Sequence, residues 1–219
     1  ADDEKNFNKW WPADIHVIGK DILRFHAAIW PGMLLAAGLE LPKTVFVHGF
    51  ITAQGQKMSK SLGNVIDPFE IAEKYGTDAL RYYLLREIPS SGDGDFTYEK
   101  FEERYNADLA NGLGNFVSRV LTLAEKSDVK LLSKNFETAI KETEKNIEKF
   151  IGEFKLNEAL AAIWQLIVLG DKYVDDKKPW TLSVDSAEFK ETIGSLLFLI
   201  SEISRLSLPF FPETSEKIF

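Results

Sequence analysis

The sequence of 219 residues contains no cysteine and only three histidines. The absence of cysteine excludes disulfides, thiolate nucleophiles and cysteine-ligated zinc, and three histidines provide few nitrogen ligands. We therefore predict that no zinc or other structural metal lies within this chain. No apolar run approaches the ~18 residues of a membrane span, and no basic segment followed by an apolar one opens the sequence. These absences predict a cytoplasmic protein without a membrane partner.

Positive charge is also scarce in this sequence. There are 26 lysines and arginines against 34 aspartates and glutamates, which gives a net charge of −8. This sign is wrong for a protein that holds a nucleic-acid backbone through a broad electrostatic field, so we predict no DNA partner. If RNA is a partner, a few local donors and stacking rings must recognise it.

The first part of the sequence has an α/β pattern. Short β-rich runs at 15–18 and 45–48 flank an apolar helical segment from about 20 to 37, which Pro31 interrupts. Strand, helix and strand in this order imply a right-handed parallel unit.

The rest of the sequence is predominantly helical. Loop-forming residues occupy 54–63, short helices are predicted from Asp67 and from Thr77, and residues 90–95 form a hydrophilic break. Beyond the break, the apolar periodicity predicts long helices near 98–125, 134–151, 155–177 and 186–206. Such helices with short connections favour an antiparallel bundle. The predicted fold class is therefore α/β followed by all-α.

The strongest local signal is a Lys-Met-Ser-Lys-Ser string that begins at Lys57 and places its second lysine at Lys60. Lysine is a compact point charge suited to phosphate, and flanking glycines let a backbone approach a polyphosphate. Two lysines in an exposed loop are more often solvated surface. The complete string after a parallel strand nevertheless favours the phosphate-binding interpretation.

This string is identical to the KMSKS motif of class I aminoacyl-tRNA synthetases, and the residues around it resemble the methionyl-tRNA synthetase family. The resemblance extends over essentially the whole chain. The matching segments include 16–22, 25–26, 30–31, 46–49, 78–83, 106–111 and 178–180.

The resemblance implies a two-step ligase. In this family methionine reacts with ATP to give methionyl-adenylate, and the methionyl group then passes to tRNA(Met). Lys57 and Lys60 would be the catalytic residues, because they would neutralise the departing pyrophosphate together with Mg²⁺. Gly19, Asp21 and the main chain of Ile51 would bind the nucleoside of ATP. From spacing alone, Asp21 is equally explained as a charge in the first turn of a helix.

Aromatic residues of the first apolar helix would contribute to the methionine pocket. The resemblance assigns Phe25 and His26 to the methionine side chain, with Trp30 close by, and a thioether binds well against such rings. Considered without the resemblance, aromatic rings on a crossover helix are more often core packing.

A second site is predicted in the helical part. Asn111, Asn115 and Arg119 are spaced by four residues, which places them on one face of a helix, and their side chains can read base edges. Trp180 follows Pro179 and offers a ring on which an unpaired base can stack. The resemblance implies that these four residues, the Asn, Asn, Arg and Trp, bind the CAU anticodon. Without it, the asparagines would be a solvated helix face and Trp180 a core or interhelix residue.

The resemblance also divides the chain into domains. Residues 1–66 would be the second, C-terminal half of a Rossmann-type nucleotide-binding catalytic domain, 67–105 the stem-contact region and 106–219 the anticodon-binding helical bundle. The candidates for contacts to the tRNA backbone in the stem-contact region, equally explicable as ion pairs within the chain, are Arg81, Arg86 and Arg104.

The chain departs from the family pattern in what it lacks. Class I synthetases carry a HIGH-type motif in the first half of the nucleotide-binding fold, and none of the three histidines lies in such a string. The metal-binding insert of the family, usually cysteine-ligated, is absent as well. We therefore expect the N-terminal half of the catalytic domain to be a required partner and this chain to be inactive alone. The alternative is a non-catalytic tRNA-binding split subunit or synthetase-like binding module, and a helical adaptor with a chance lysine loop is the least favoured hypothesis.

Overall fold

A computed structural model describes residues 3–59, 61–133 and 135–219. The first part contains helices α1 (Glu4–Trp10) and α2 (Trp30–Ala36) and strands β1 (Ile15–Gly19), β2 (Thr44–His48), β3 (Ile51–Ala53) and β4 (Gln56–Lys57). It is followed by α3 (Pro68–Tyr75), α4 (Thr77–Glu87), β5 (Gly94–Phe96) and α5 (Tyr98–Arg104). The remainder consists of a π-helix (Tyr105–Gly114), α6 (Asn115–Ala124), α7 (Glu137–Gly152), α8 (Leu156–Lys177), α9 (Ala187–Ser207) and α10 (Pro212–Ile218).

Strands β1 and β2 form a parallel pair, as the sequence predicted. Their residues 15–19 and 44–48 are in register. The helix between them is less regular than predicted, because a 3-10 turn at Lys20–Ile22 and a π-helix at Phe25–Ile29 precede α2. Pro31 lies at the junction of the π-helix and α2, where irregular hydrogen bonding accommodates its missing N–H.

This two-stranded layer exposes much apolar surface. Val17 of β1 and Leu35 of α2 are each 64% exposed. Other exposed apolar residues of the same layer are Phe7, Trp10, Ile15, Ile22, Leu23, Phe25, Ile29 and Met33. A parallel sheet is normally covered by other elements on both faces. The described residues cover this layer only in part.

A second small sheet differs from the predicted loop and hydrophilic break. Its strand order is β4-β3-β5, with β3 antiparallel to β4 and parallel to β5. The turn between β3 and β4 has positive φ angles at Gln54 and Gly55, as two-residue hairpins require. The prediction of loop throughout 54–63 and of a break throughout 90–95 was wrong at these strands. Strands of two or three mostly polar residues carry no alternation in the sequence and form only by pairing with β3.

Helix α4 belongs to two apolar cores at once. Tyr82 is 1% exposed, and its ring centre lies 4.6 Å from that of Trp164 and 6.0 Å from that of Phe211 in the helical part. Tyr83 is equally buried, and its ring centre lies 5.0 Å from that of Phe96 in β5. Successive residues of a helix point about 100° apart, so the two rings enter different cores.

The larger core lies among α6, α7, α8 and α9. Several of its residues have no exposed surface, including Leu160, Ile163, Ile193, Leu196 and Leu199. The predicted long helices are confirmed to within a few residues, except that the first contains the π-helix at Tyr105–Gly114. Helix α10 was not predicted as a separate element, and prolines at 209 and 212 separate it from α9. None of the helices in the described part of the chain is long and apolar enough to cross a bilayer.

The corner that precedes α8 contacts the first sheet. Phe154 has a φ of 59°, and its ring stacks on that of Phe46 in β2 with the centres 4.4 Å apart. The Leu156 N–H donates to Ser90 Oγ at 3.4 Å. Helix α8 therefore starts at the sheet, and its 22 residues extend for about 33 Å.

Two side chains of α4, which we call the α4 clamp, hold the segment that leads into α10. Asp78 Oδ2 accepts the Thr214 N–H at 2.5 Å and so caps α10, for which the described residues supply no cap from within the helix. One turn further along α4, Arg81 donates to the carbonyl oxygens of Pro209 and Phe210, both at 2.9 Å. The clamp therefore connects α4 directly to the last helix.

We expect Asp78→Ala to lower the free energy of unfolding by about 1–3 kcal/mol, because the N-terminus of α10 loses its acceptor. Asp78→Asn keeps a side-chain oxygen and should lose less. Urea unfolding followed by circular dichroism measures both changes, with Glu73→Ala on the exposed side of α3 as the control. Equal stability of Asp78→Ala and the unchanged protein would contradict the capping role.

Candidate functional site

Two lysines approach the ring of Phe50, between β2 and β3. Lys20 Nζ lies 4.6 Å and Lys57 Nζ 5.1 Å from the ring centre. Lys20 Nζ is also 2.6 Å from both carboxylate oxygens of Asp93. The sequence predicted Lys57 but not Lys20, although Lys20 stands between two predicted site residues. The predicted Lys60 lies outside the described residues.

The segment after β4 folds back on itself. Asn64 Oδ1 accepts the Ser59 N–H at 2.8 Å, and Asn64 Nδ2 donates to the Lys57 carbonyl oxygen at 3.2 Å. Ser59 Oγ and Ser61 Oγ are 2.7 Å apart. One asparagine side chain therefore connects both ends of the lysine-containing loop.

Gly19 and Asp21 adjoin each other at the carboxyl end of β1. A Cβ atom on Gly19 would lie 2.7 Å from Asp21 Oδ1 and 3.8 Å from the His48 ring, so a side chain here would displace the carboxylate. Ile51, at the start of β3, is paired with Gly94 and is 41% exposed. Open α/β sheets bind ligands at the carboxyl ends of their strands. Gly19 and Asp21 lie at such an end, whereas Ile51 begins a strand of the second sheet, three positions after the end of β2.

The aromatic residues predicted for the methionine pocket lie on the irregular helix. Phe25 and His26 belong to the π-helix, and their ring centres are 5.2 Å apart. His26 Nδ1 is 3.1 Å from the Ile22 carbonyl oxygen, which fixes the direction of the imidazole. Phe25 is 45% exposed, so its ring is not a core residue of the described chain.

Trp11 and His16, which the sequence did not select, connect these residues to Trp30. The ring centre of Trp30 is 6.3 Å from that of Trp11 in an edge-on contact. His16 is 6.1 Å from Trp11 and 6.4 Å from His26. The result is one aromatic group beside β1. A tryptophan shortly before a β-rich run was the available signal for Trp11.

In the helical part, one concavity brings three predicted residues together. Its volume is about 510 Å³, and Asn111, Asn115 and Arg119 line it with Ser118 and Asp171. Asn111 belongs to the π-helix, whereas the other two predicted residues belong to α6. The predicted common face is therefore present although the helix changes type along it.

Two carboxylates of α8 hold the guanidinium of Arg119. Its Nη2 atom lies 2.8 Å from Asp171 Oδ1, and its Nη1 atom lies 3.2 Å from Asp175 Oδ1. Burial raises the pKa of the Asp171 carboxyl, and the Arg119 charge opposes that rise. The sequence did not select either aspartate, and their spacing of four on one helix was the available signal.

Trp180 lies just beyond the end of α8, in the 3-10 turn Pro179–Thr181. Lys178, with a φ of 45°, turns the chain there. The indole is 54% exposed, at odds with the alternative in which it fills the core. Trp180 is not among the described residues that line the concavity. In the chain it lies five positions after Asp175, whose carboxylate contacts Arg119.

Two of the three arginines considered as RNA contacts are engaged within the chain, whereas the buried Nε atom of Arg86 has no hydrogen-bond partner among the described residues. Arg81 belongs to the α4 clamp. Arg104 Nε lies 2.8 Å from Glu87 Oε2, and its Nη1 atom lies 3.3 Å from Asp108 Oδ2. These contacts favour the intramolecular alternative for both residues.

Metal ligands are not grouped in the parts of the chain at 3–59, 61–133 and 135–219. No three histidine, aspartate or glutamate side chains in these ranges are placed to hold a metal ion together. Lys57 instead offers an exposed ammonium group, which suits an anion such as phosphate.

Comparison with protein families gives two adjoining matches. The family model described as tRNA synthetases class I (M) matches residues 1–121. The model described as the anticodon binding domain of methionyl tRNA ligase matches residues 124–219.

Similar curated proteins are longer than this chain. The methionine–tRNA ligase of Caldanaerobacter subterraneus is 41% identical, and the alignment covers 100% of this chain and 36% of that protein. The methionine–tRNA ligase of Thermotoga maritima is 42% identical, with 99% of this chain and 36% of that protein covered. The chain therefore spans little more than a third of the length of these relatives.

Similar solved structures agree with these matches. Mycobacterium tuberculosis methionyl-tRNA synthetase bound by methionyl-adenylate has a TM-score of 0.90 and 36% identity, with 99% of this chain and 45% of that chain covered. The apo form of that enzyme has a TM-score of 0.86 and 33% identity, with the same coverage. The chain has the class I synthetase fold and belongs to the class I tRNA synthetases. Within that class, its family is that of the methionyl-tRNA synthetases.

We expect Arg119→Leu to raise the pKa of Asp171 further, because burial still acts and the cation is gone. A carboxyl whose pKa is higher in the folded state contributes stability below its unfolded pKa, and this contribution is lost as the pH rises through the folded pKa. The free energy of unfolding of the variant, relative to the unchanged protein, should therefore fall as the pH rises above about 4, the ordinary pKa of an aspartate.

Urea unfolding at several pH values and carboxyl-carbon NMR titration measure this change. Arg119→Lys keeps a positive charge and serves as the control. A pKa of Asp171 that is the same in all three proteins would contradict the assignment of Arg119 as its electrostatic partner.

Proposed function

We propose that this chain is the part of a methionine–tRNA ligase that holds the KMSKS loop, part of the ATP and methionine site, and the anticodon-binding bundle. The observation that carries the proposal is that one chain presents two separate polar sites. Lys57 lies beside the carboxyl end of a parallel strand pair, and a group of amides with a guanidinium lines a concavity in the helices. Joining an activated amino acid to a selected tRNA requires both kinds of site.

The first step forms methionyl-adenylate. A carboxylate oxygen of methionine attacks the α-phosphorus of ATP, and the bond to the β-phosphate breaks to release pyrophosphate. Negative charge develops on the leaving group, so Lys57 and Lys60 act there as catalytic cations. The exposure of Lys57 supports this role. Further positive charge would come from Mg²⁺ that is held by the ATP phosphates.

ATP binding uses the carboxyl end of β1. Asp21 accepts hydrogen bonds from ribose hydroxyls, Gly19 leaves room for the sugar, and the main chain of Ile51 meets the adenine. The proximity of Asp21 Oδ1 to the position of a Cβ on Gly19 supports this arrangement.

In the second step, a terminal ribose hydroxyl of tRNA attacks the methionyl carbonyl, and AMP leaves.

Methionine binding uses the aromatic group beside β1. Phe25 and His26 contact the methionine side chain, with Trp30 nearby, because a thioether is polarisable and packs well against ring edges. The exposure of Phe25 and the ring contacts among these residues support the proposal. Trp11 and His16 hold the group together.

Anticodon recognition uses the concavity of the bundle. Asn111, Asn115 and Arg119 offer paired donors and acceptors to the base edges of the CAU anticodon of tRNA(Met). Trp180 stacks beneath an unpaired base. The position of Arg119 beside Asn111 and Asn115 in the concavity and the exposed indole of Trp180 support these roles.

The domain organisation is part of the same proposal. Residues 1–66 form the second half of a Rossmann-type fold, 67–105 the stem-contact region and 106–219 an antiparallel bundle, and the protein acts in the cytoplasm. The separate small core around Ile71, Tyr83 and Phe101 supports a distinct stem-contact region. The exposed apolar layer at β1 and α2 supports the need for the N-terminal half of the catalytic domain as a partner.

We expect residues 1–219 alone to give no methionine-dependent ATP–pyrophosphate exchange, because the proposed site lacks its other half. The full-length protein that contains this chain should catalyse the exchange. Lys57→Ala in that protein should lower kcat by about 10²-fold, as removal of a charge-stabilising group does. Full activity of residues 1–219 would contradict the need for the N-terminal half, and an inactive full-length protein would instead favour a non-catalytic binding module.

We expect Trp180→Ala to weaken binding of a tRNA(Met) anticodon stem-loop by ~1–3 kcal/mol, because one stacked base loses its ring. Fluorescence anisotropy with a labelled stem-loop measures the dissociation constant, and Trp180→Phe should retain part of the affinity. Trp10→Ala, which removes an indole that is 70% exposed on α1, is the matched control. Unchanged affinity of Trp180→Ala would remove this residue from the site.

A further inference from the structure

We propose that Asp93 is a positioning residue of the ATP site. Its side chain connects the turn at Gly19–Asp21 with Phe50 and Ile51, where β3 begins. The inference rests on the proposed function of that site. Asp93 lies just before β5, in the segment that its composition marks as a hydrophilic break. No part of the proposed mechanism otherwise uses this residue.

The carboxylate of Asp93 bonds to both parts of the site. Both of its oxygens lie 2.6 Å from Lys20 Nζ, and Lys20 stands between the two residues proposed to hold the ribose. Its Oδ1 atom also accepts the Phe50 N–H at 2.8 Å. Ile51, which follows Phe50, is the residue whose main chain is proposed to meet the adenine. One side chain therefore fixes the separation of the ribose side and the adenine side.

The electrostatics of this contact agree with its geometry. The hydrogen bond from Lys20 and the one from the Phe50 N–H hold the pKa of Asp93 below its ordinary value. The carboxylate therefore stays ionised at neutral pH and neutralises Lys20. Lys20 and Lys57 share the ring of Phe50, so this neutralisation leaves Lys57 as the uncompensated one of these two cations.

Asp95, two residues further along, holds the other end of β3. Its Oδ1 atom accepts the Thr52 hydroxyl at 2.7 Å and the Gly55 N–H at 2.6 Å. Gly55 belongs to the hairpin turn that leads to Lys57. Two carboxylates, one just before β5 and one within it, thus hold both ends of β3, which explains why this polar segment is ordered as a strand.

The segment that carries Asp93 is itself held in place by close backbone packing. A Cβ on Gly49 would lie 2.0 Å from the Gly92 carbonyl oxygen, and a Cβ on Gly94 would lie 2.5 Å from Ile88 Cγ2. The segment that carries Asp93 is therefore in direct contact with the end of β2 and with the residue after α4. Its carboxylate cannot follow Lys20 outward without breaking these contacts.

A purely structural ion pair would behave differently. The side chains of Lys20 and Asp93 are 42% and 48% exposed, and exposed pairs of this kind contribute little to folding. Loss of the pair should therefore change ATP binding far more than stability.

The test measures ATP–pyrophosphate exchange in the full-length protein with Asp93→Asn, Lys20→Met and the double variant. Asp93→Asn should raise the KM for ATP about five- to tenfold, as loss of a partly exposed charge-assisted hydrogen bond does. The KM for methionine and kcat should change less than about twofold, since methionine contacts other residues. Lys20→Met should reproduce the effect while leaving the Phe50 bond intact, and the double variant should be no worse than the more affected single one, because the residues act as a unit.

Asp14→Asn is the matched control. Asp14 pairs with Lys43 at the same 2.6 Å distance in the same layer but away from the site, so its loss should not alter the KM for ATP. An unchanged KM for ATP in Asp93→Asn, an equal rise in both KM values, or additive effects in the double variant would overturn the inference. An unchanged protein without exchange activity would instead overturn the proposed function.

Discussion

Tyr82 and Tyr83 are neighbours on α4 but are buried in different cores, so this helix cannot rotate or slide without exposing one of them. Burial raises the pKa of the Tyr83 phenol to about 12 and that of the Tyr82 phenol further, which shows how far both rings are removed from water. The α4 clamp adds polar contacts from the same helix to the segment before α10. Helix α4 therefore connects the small core around β5 with the core of the helical part.

Helix α8 extends from the first sheet to the second proposed site. The helix begins beside the first sheet, where Phe154 stacks on Phe46, and it ends where Asp171 and Asp175 hold Arg119 and where Trp180 is exposed. A rigid element of about 33 Å thus joins the two proposed sites.

Both proposed sites also share an electrostatic feature that is compatible with the acidic composition of the chain. One cation beside each proposed site is held by carboxylates, Lys20 by Asp93 and Arg119 by two aspartates of α8. Positive charge is therefore presented at defined points with fixed directions rather than as a broad field. A net charge of −8 is compatible with this arrangement, since most of the surface is not required to attract the partner.

The sequence by itself determined the features that depend on local order. The lysine string at 57–61, the strand-helix-strand pattern of the first layer, the long helices and the common face of Asn111 and Arg119 all follow from residues close together in the chain. Only the tertiary structure decided the pairing of Lys20 with Asp93, the burial of α4 in two cores and the strand that follows Asp93. Lys20 and Asp93 are 73 positions apart, and contacts at such separations depend on how the elements pack, which no local pattern of residues records.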